Sequence, residues 1–470
     1  MTPPADRLPD GFAVRLDPRV RRRGAATLLG GSPLRLLRLA PRAAALLPAD
    51  RLEVRDATSA ALAARLLDAG LAHPDLPPDP GGVDVTVVVP VRDRPAALAR
   101  LLAALRADPG TAGLPVVVVD DGSRVPVVAA DGARVLRADV SRGPAAARNA
   151  GLAAAGTDLV AFLDSDCVPR PGWLARLRPH LADPRLAAVA PRIGPLPGGL
   201  RGPVSAYEDV AGALDMGPRP AAVRPLSSVS YVPSAALLVR RAALGAGFDE
   251  QLRVAEDVDL VWRLTGGGWR VRYEPAAEVA HEHPVRLADW LRRRAFYGTG
   301  AALLAARHGG AVSPLVIAPE TALTWALLLA GGRRGTAAGA AVLGVTGARL
   351  ARRLARPGEP VPVGLAAALA LRGLAASGQS LARAATRHHW PVAAVAAVGS
   401  RRARRWVLGA AAADALVSWW PHRGRIGPVR HGVARRLDDL AYGAGLWAGA
   451  LRARDPRALL PVRPPRTAPG

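Results

Sequence analysis

The sequence predicts a doubly wound α/β domain over residues 83–300, with a small domain at 1–80 and a helical region at 301–470. Three observations carry that reading. The runs VTVVVPV, LPVVVVDD and DLVAFLDSD are short, uninterrupted and rich in β-branched residues, as buried parallel strands are. Between them, RPAALARLLAAL and GPAAARNAGLAAAG place apolar residues at helical spacing, which makes a βαβαβ series. Beyond residue 300 the texture changes to Ala, Leu and Gly with arginine clusters such as RRARRW.

The first 80 residues are rich in Arg and Leu and end in LAHPDLPPDPGG, which reads as a linker because Pro and Gly punctuate it heavily. A length of 470 residues predicts two or three units, and 50% hydrophobic residues allow a sizeable core. The formal charge is +25, and all 63 basic residues are arginine. Arginine favours phosphate in nucleotides, nucleic acids and lipid headgroups alike, so the charge narrows partners only to anions. No nucleic-acid recognition motif accompanies it, and no nucleic-acid partner is expected. Cys167 is the single cysteine, which excludes an internal disulfide framework and suits a reducing compartment. The start, MTPPADRLPDGF, lacks the apolar core of a secretory signal, so the catalytic part is expected to face the cytoplasm.

In the C-terminal region the longest uncharged run, Gly335 to Ala348, falls short of the roughly 18–20 residues that a membrane span requires. Glu320, Arg372 and Asp414 interrupt the other apolar stretches. Trp325, Trp406, Trp419 and Trp420 near arginines suit a bilayer interface. Two readings stay open: helices resting on the cytoplasmic face of the inner membrane, or a soluble helical appendage.

In open α/β sheets ligands bind at the carboxyl ends of the strands. Here those ends are Val91-Arg92-Asp93, Asp120-Asp121-Gly122-Ser123 and Asp164-Ser165-Asp166. An isolated aspartate there is usually a turn former or helix N-cap. Three acidic strand ends together are costly without a cation or a donor-rich ligand. Asp164-Ser165-Asp166 is the sharpest: two carboxylates at i and i+2 can share a hard ion such as Mg²⁺ or Mn²⁺ with substrate phosphates.

With these motifs in place, VVVPVRDRPAAL, VVVVDDGS, GPAAARNAG and FLDSDCVPRPGWL resemble, in order, the motifs of family 2 inverting glycosyltransferases with the GT-A fold, a doubly wound mixed sheet. FDEQLRVAEDVDLVWRLTGGGWRVRYEPAAEVAHEH resembles that family's acidic "ED" segment and the strand after it. The resemblance covers about 200 residues, from about Val83 to about Pro284. It implies a nucleoside-diphosphate-sugar donor. Asp120 and Asp121 would contact base and ribose, and Arg92, Asp93 and Arg148 would complete the nucleotide pocket. The family's usual first-strand motif differs from Arg92-Asp93, which leaves those two roles open. Asp164 and Asp166 would hold the metal against the diphosphate, with His281 as a third ligand, and Asp257 would be the catalytic base. Such a transfer must stabilise a diphosphate leaving group and deprotonate an acceptor hydroxyl, which asks for a metal and a carboxylate base.

Glu256-Asp257 also reads as a helix start, a good place to keep a base ionised. His283 ranks below His281 as a ligand, and Glu282 is expected in solvent. Within SSVSYVPSAALLVRR at 227–241, Tyr231 or Ser234 could meet the acceptor, although most of it reads as a buried strand. Trp290 and Tyr297 are candidate sugar-stacking aromatics. The QxxRW signature of processive members is absent, which favours short extension over polymer synthesis.

At full length, LDPRVRRRGAATLLGGSPLRLLRLAPRAAALL at 16–47 and HPVRLADWLRRRAFYGTGAALLAARH at 283–308 resemble the flanks of the mycofactocin-system glycosyltransferases. The first is also distantly similar to peptide-recognition domains. That implies UDP-glucose as donor and a peptide-derived redox cofactor precursor, premycofactocin, as acceptor. The alternative is a family 2 enzyme acting on a polyprenyl phosphate or a wall or lipid acceptor. A third reading, an inactive nucleotide-binding module, sits poorly with the presence of both Asp164-Ser165-Asp166 and Asp257.

Overall fold

The computed structural model describes residues 2–24, 26–79, 85–128, 132–199, 201–355 and 361–464. The chain forms two compact units, 1–285 and 286–470.

In the first unit, residues up to 79 build two three-stranded sheets around one small core. One has the order β5(Arg51–Glu53)–β1(Ala13–Leu16)–β6(Ala72–Pro74), and the other β2(Arg21–Arg23)–β3(Thr27–Gly30)–β4(Arg35–Arg38). Helix Ala57–Asp68 covers them, capped by Asp56, whose side chain accepts from the Ser59 N–H at 2.7 Å. Part of the expected linker is therefore strand: β6 runs antiparallel to β1 and buries Ala72 beside Leu71. Three residues are too few to show a period. The expected domain start, Val83, lies outside the described residues.

The large sheet follows the path β11–β15–β12–β14–β10–β7–β8–β9, with β13 beside β15. Its strands are β7(Val85–Val91), β8(Val116–Asp121), β9(Arg134–Ala138), β10(Leu159–Leu163), β11(Cys167–Pro169), β12(Leu186–Pro195), β13(Ala221–Ala222), β14(Ala236–Arg240) and β15(Arg270–His281). The half β10–β7–β8–β9 is parallel, as continuous apolar strands require, and the antiparallel β14 makes the sheet mixed. The chain passes outward from β7 to β8 and β9, then returns to the other side of β7 as β10. The carboxyl ends of β7, β8 and β10 thus meet at the switch point, where ligands bind in such sheets.

Two strand readings change. The strand expected over WRVRYEP continues to His281, because β15 pairs with β12 past a register shift at Pro191/Arg192. The buried strand expected over most of 227–241 is confined to β14, and Ser227–Ala235 is irregular.

The second unit is mainly helical: Leu287–His308, Pro319–Ala330, Gly332–Leu354, Val363–Arg383, Trp390–Gly399, Arg401–Trp419 and Pro428–Ala453 are its α-helices among the described residues. Helix Leu287–His308 packs on Pro428–Ala453 through Gly298, Gly445 and Gly449, where an added Cβ would strike backbone. That contact draws residues 287–300 into the second unit instead of the α/β domain. None of the described helices is long and apolar enough to cross a membrane.

Candidate active site

The end of β7 turns sharply. Asp93 adopts φ +53°, a left-handed conformation that a short polar side chain tolerates. Its N–H donates to Ser123 Oγ at 3.0 Å, and its carboxylate accepts from the Arg124 N–H at 2.8 Å. Arg92 is exposed and donates to Ser141 Oγ at 3.1 Å. Both stand at the rim of the switch point.

The two aspartates ending β8, expected to contact base and ribose, are buried and hydrogen-bonded to their own chain. Asp120 is 0% exposed. It accepts from the N–H groups of Ser123 and Val127 at 2.9 and 3.1 Å and pairs with Arg137. Burial would raise its pKa, but these donors hold it below the ordinary value. Asp121 accepts from Ser141 Oγ, the Arg142 N–H and the Gly143 N–H at 2.7, 2.8 and 3.0 Å. The loop that starts helix Pro144–Ala154 therefore hangs on Asp121. Buried carboxylates take the nearest donors, and here the chain itself supplies them.

Asp164 and Asp166 leave β10 on opposite errands. Asp166 Oδ2 accepts from Arg94 at 2.5 Å, while its Oδ1 lies 3.5 Å from His281 Nε2. Asp164 instead pairs with Arg148 at 2.6 Å. Among the described residues no three His, Cys, Asp or Glu side chains gather around one metal-sized point. Of the expected trio Asp164, Asp166 and His281, only the last two come together, since β11 and β15 pair with Cys167 opposite His281. Right-angle ligands about 2.1 Å from a divalent ion lie about 3 Å apart, so this pair fits two positions of such an ion, with substrate oxygens for the rest.

Arg148 occupies no open nucleotide pocket. It is 3% exposed and donates to Glu256 at 2.9 Å as well as to Asp164, with Phe248 under its guanidinium at 5.5 Å. Burial works against its charge, but Asp164 and Glu256 outweigh that and raise its pKa. The residue thus ties the end of β10 to the start of helix Glu256–Gly266. Arg94, Arg100 and this tie escaped the sequence reading; Arg94 is an arginine in the loop after a site strand, which is signal enough for a candidate but not for its partner. Arg100 reaches Glu282 at 2.6 Å, so Glu282 is paired and not merely solvated.

Asp257 sits in the first turn of that helix, half-buried, after Ala255 at φ +65°. Its carboxylate accepts from the Val258 N–H at 2.8 Å and, more weakly, from the Ser234 N–H at 3.4 Å. Burial, reinforced by the Glu256 charge, pushes its pKa up to about 7, with Arg148 opposing. A carboxyl poised there can accept a proton near neutral pH. Ser234 reaches it through its backbone, and its own bulk is buried. Trp290 is 1% exposed and covered by Arg294, so it offers no face to a sugar. Tyr297 is half-buried on the same helix.

Residues 86–243 match the model of glycosyl transferase family 2. A pre-mycofactocin glycosyltransferase of Mycobacterium tuberculosis is 51% identical over 473 positions, covering 97% of this chain and 99% of that protein. The chain belongs to the pre-mycofactocin glycosyltransferase family. It is thus a glycosyltransferase, and its mixed α/β sheet is the GT-A fold that the motifs predicted. A succinoglycan biosynthesis protein of Rhizobium meliloti is 30% identical over 207 residues, 40% of this chain and 59% of that one. Among solved structures, a mannosyltransferase from Pyrobaculum calidifontis in complex with GDP-Man and Mn²⁺ matches at 20% identity and a TM-score of 0.37, covering 78% of this chain and 90% of that one.

Proposed function

We propose that this glycosyltransferase moves glucose from UDP-glucose to a hydroxyl of premycofactocin, inverting the anomeric centre and extending a short β-linked glucan. The acceptor follows the name of the relatives that match nearly the whole chain. The observation that supports the reaction is Asp257: a carboxyl with its pKa near 7, tied through Glu256 and Arg148 to Asp164. Asp257 would take the proton of the acceptor hydroxyl as it attacks the face opposite the leaving group. Asp166 and His281 would hold the divalent cation, Mg²⁺ or Mn²⁺, which when bound supplies Lewis acidity toward the diphosphate. Arg92 and Asp93 would line the nucleotide end of the cleft. Tyr231 would lie on the acceptor side.

The reaction would take place in the cytoplasm, with the helical unit resting on the inner membrane surface. Trp406 and Trp420, 48% and 57% exposed beside arginines, favour that placement.

The test is mass spectrometry of products from purified protein, Mn²⁺ or Mg²⁺, a panel of sugar nucleotides, and premycofactocin or a polyprenyl phosphate as acceptor. A hexose increment on premycofactocin, with UDP-glucose preferred, is expected. Transfer to the polyprenyl phosphate alone would overturn the acceptor, and no transfer with any pair would overturn the reading.

A further inference from the structure

The segment that leads into Asp257 lies along helix Pro144–Ala154. Asn149, on that helix, clasps its start: Nδ2 donates to the Phe248 carbonyl at 2.8 Å, and Oδ1 accepts from the Phe248 N–H at 2.8 Å. Glu250 then accepts from Asn149 Nδ2 at 3.0 Å and from Arg142 Nη2 at 2.6 Å. A turn at Asp249 follows, whose carboxylate accepts from the Gln251 N–H at 2.9 Å and whose carbonyl accepts from the Leu252 N–H at 3.1 Å. Leu252 is buried, and the next side chain, Arg253, runs to Gly143, the N-cap of the helix. A Cβ on Gly143 would stand 3.0 Å from Arg253 Nη1 and 3.8 Å from its Cζ, so the guanidinium lies against the glycine.

A cation gains nothing from the fold in that place, since the positive end of a helix dipole disfavours it. The Gly143 N–H is already given to Asp121 at 3.0 Å. The neighbouring Arg142 has Glu250, whereas the exposed side chain of Arg253 makes no hydrogen bond or ion pair among the described residues. Gly143 belongs to the loop that Asp121 holds at the end of β8, and Arg92 bonds Ser141 in the same loop. In the order β10–β7–β8, the ends of β10 and β8 stand two strand spacings apart, about 10 Å. A nucleoside diphosphate with its phosphates at Asp166 and His281, running past Asp93 at the end of β7, brings its nucleobase to the Gly143 loop.

We propose that Arg253 is a donor-recognition residue that reads the nucleobase. Its guanidinium, which can only donate, meets a carbonyl oxygen on the edge of the ring, such as uracil presents and adenine lacks. The inference rests on the nucleotide-sugar reading of the cleft and adds to it the group that selects the nucleotide.

The experiment is isothermal titration of the full chain, in Mn²⁺, with UDP, ADP and inorganic pyrophosphate. The wild type is expected to bind UDP more tightly than ADP. Arg253→Ala should lose about tenfold or more in affinity for UDP, the scale of a hydrogen bond from a charged donor, while ADP and pyrophosphate bind as they do to the wild type. Arg253→Lys, which keeps a charged donor, should retain more of the UDP affinity than Arg253→Ala. Both variants should melt no lower than wild type, because the side chain they alter bonds nothing in the fold. An unchanged UDP affinity in Arg253→Ala overturns the proposal, as does an equal loss for all three ligands, which would place Arg253 at the diphosphate or in the scaffold. A wild type that binds UDP no better than ADP overturns it too. A wild type that binds none of the three overturns the nucleotide-sugar reading itself, and the role of Arg253 with it.

Discussion

At the scale of single residues, the site is an arrangement of carboxylates sorted by what neutralises them. Asp120 and Asp121 are consumed by their own loops, Asp164 by Arg148, and Asp166 in part by Arg94. Asp257 is left with two backbone N–H groups and a destabilised charge. Activity should therefore rise with pH through about 7 as Asp257 ionises. Asp257→Asn should lower kcat by roughly 10²–10⁴-fold, read in a steady-state assay with donor and acceptor. The same change should not cost stability. The folded-state pKa of Asp257 is raised, so its contribution favours folding at low pH and is lost as pH rises through about 7. At pH 8 Asp257→Asn should melt at or above the wild-type temperature, and a marked drop would mean its carboxylate is structural. Glu256→Gln removes a charge that raises the pKa of Asp257 and leaves Arg148 less neutralised, so the pH limb should move to lower pH. A limb that stays at the wild-type position would argue that Glu256 does not act on the base.

At the scale of elements, the aspartates and arginines of the site were identifiable by residue type because strand ends are readable as abrupt stops in apolar runs. Their partners were not. Asp164 and Asp166 are two residues apart and looked equivalent, yet β10 ends between a buried helix bearing Arg148 and the loop after β7 bearing Arg94, and each carboxylate takes its nearest guanidinium. The long β15 shows the same limit. Its first six residues, Arg270–Pro275, have enough aromatic and β-branched character to be read, whereas the stretch to His281 is strand only because β12 and β11 pair with it. Helix packing was equally hidden, since Gly445 looks like a helix weakener until Ala295 O is found 1.8 Å from where its Cβ would be. Gly445→Ala should lower the stability of the helical unit by about 1–3 kcal/mol, measured by chemical denaturation, because two helix backbones must separate. A neutral result would show that this contact is looser than drawn.

At the scale of the whole molecule, the small N-terminal core is fastened to the α/β domain by charged pairs. Arg270, 8% exposed, holds Asp68 and Asp183, and Arg272 meets His73 Nδ1 at 2.9 Å. Burial would raise the pKa of Asp68, but Arg270 outweighs it and the net shift is downward. That stabilisation is present above the unfolded carboxylate range and fades as pH falls through the depressed pKa. Asp68→Ala should expose residues 2–79 to limited proteolysis at pH 7 at a rate the wild type shows only in acid; equal rates would place the attachment elsewhere. For the helical unit, co-sedimentation with anionic phosphatidylglycerol vesicles should be salt-sensitive and weakened by Trp406→Ser together with Trp420→Ser. Binding that the pair of changes leaves intact would remove the membrane surface from the proposal.

The amino-acid sequence by itself determined the fold class, the strand ends that bear chemistry and the family, because burial periodicity and ordered motifs are written locally along the chain. The tertiary structure alone decided which carboxylate meets which guanidinium, that Trp290 is buried, and that residues 287–300 side with the second unit. Those outcomes depend on distances between segments far apart in sequence. Coulomb energy and close packing act through space, and neither leaves a period along the chain.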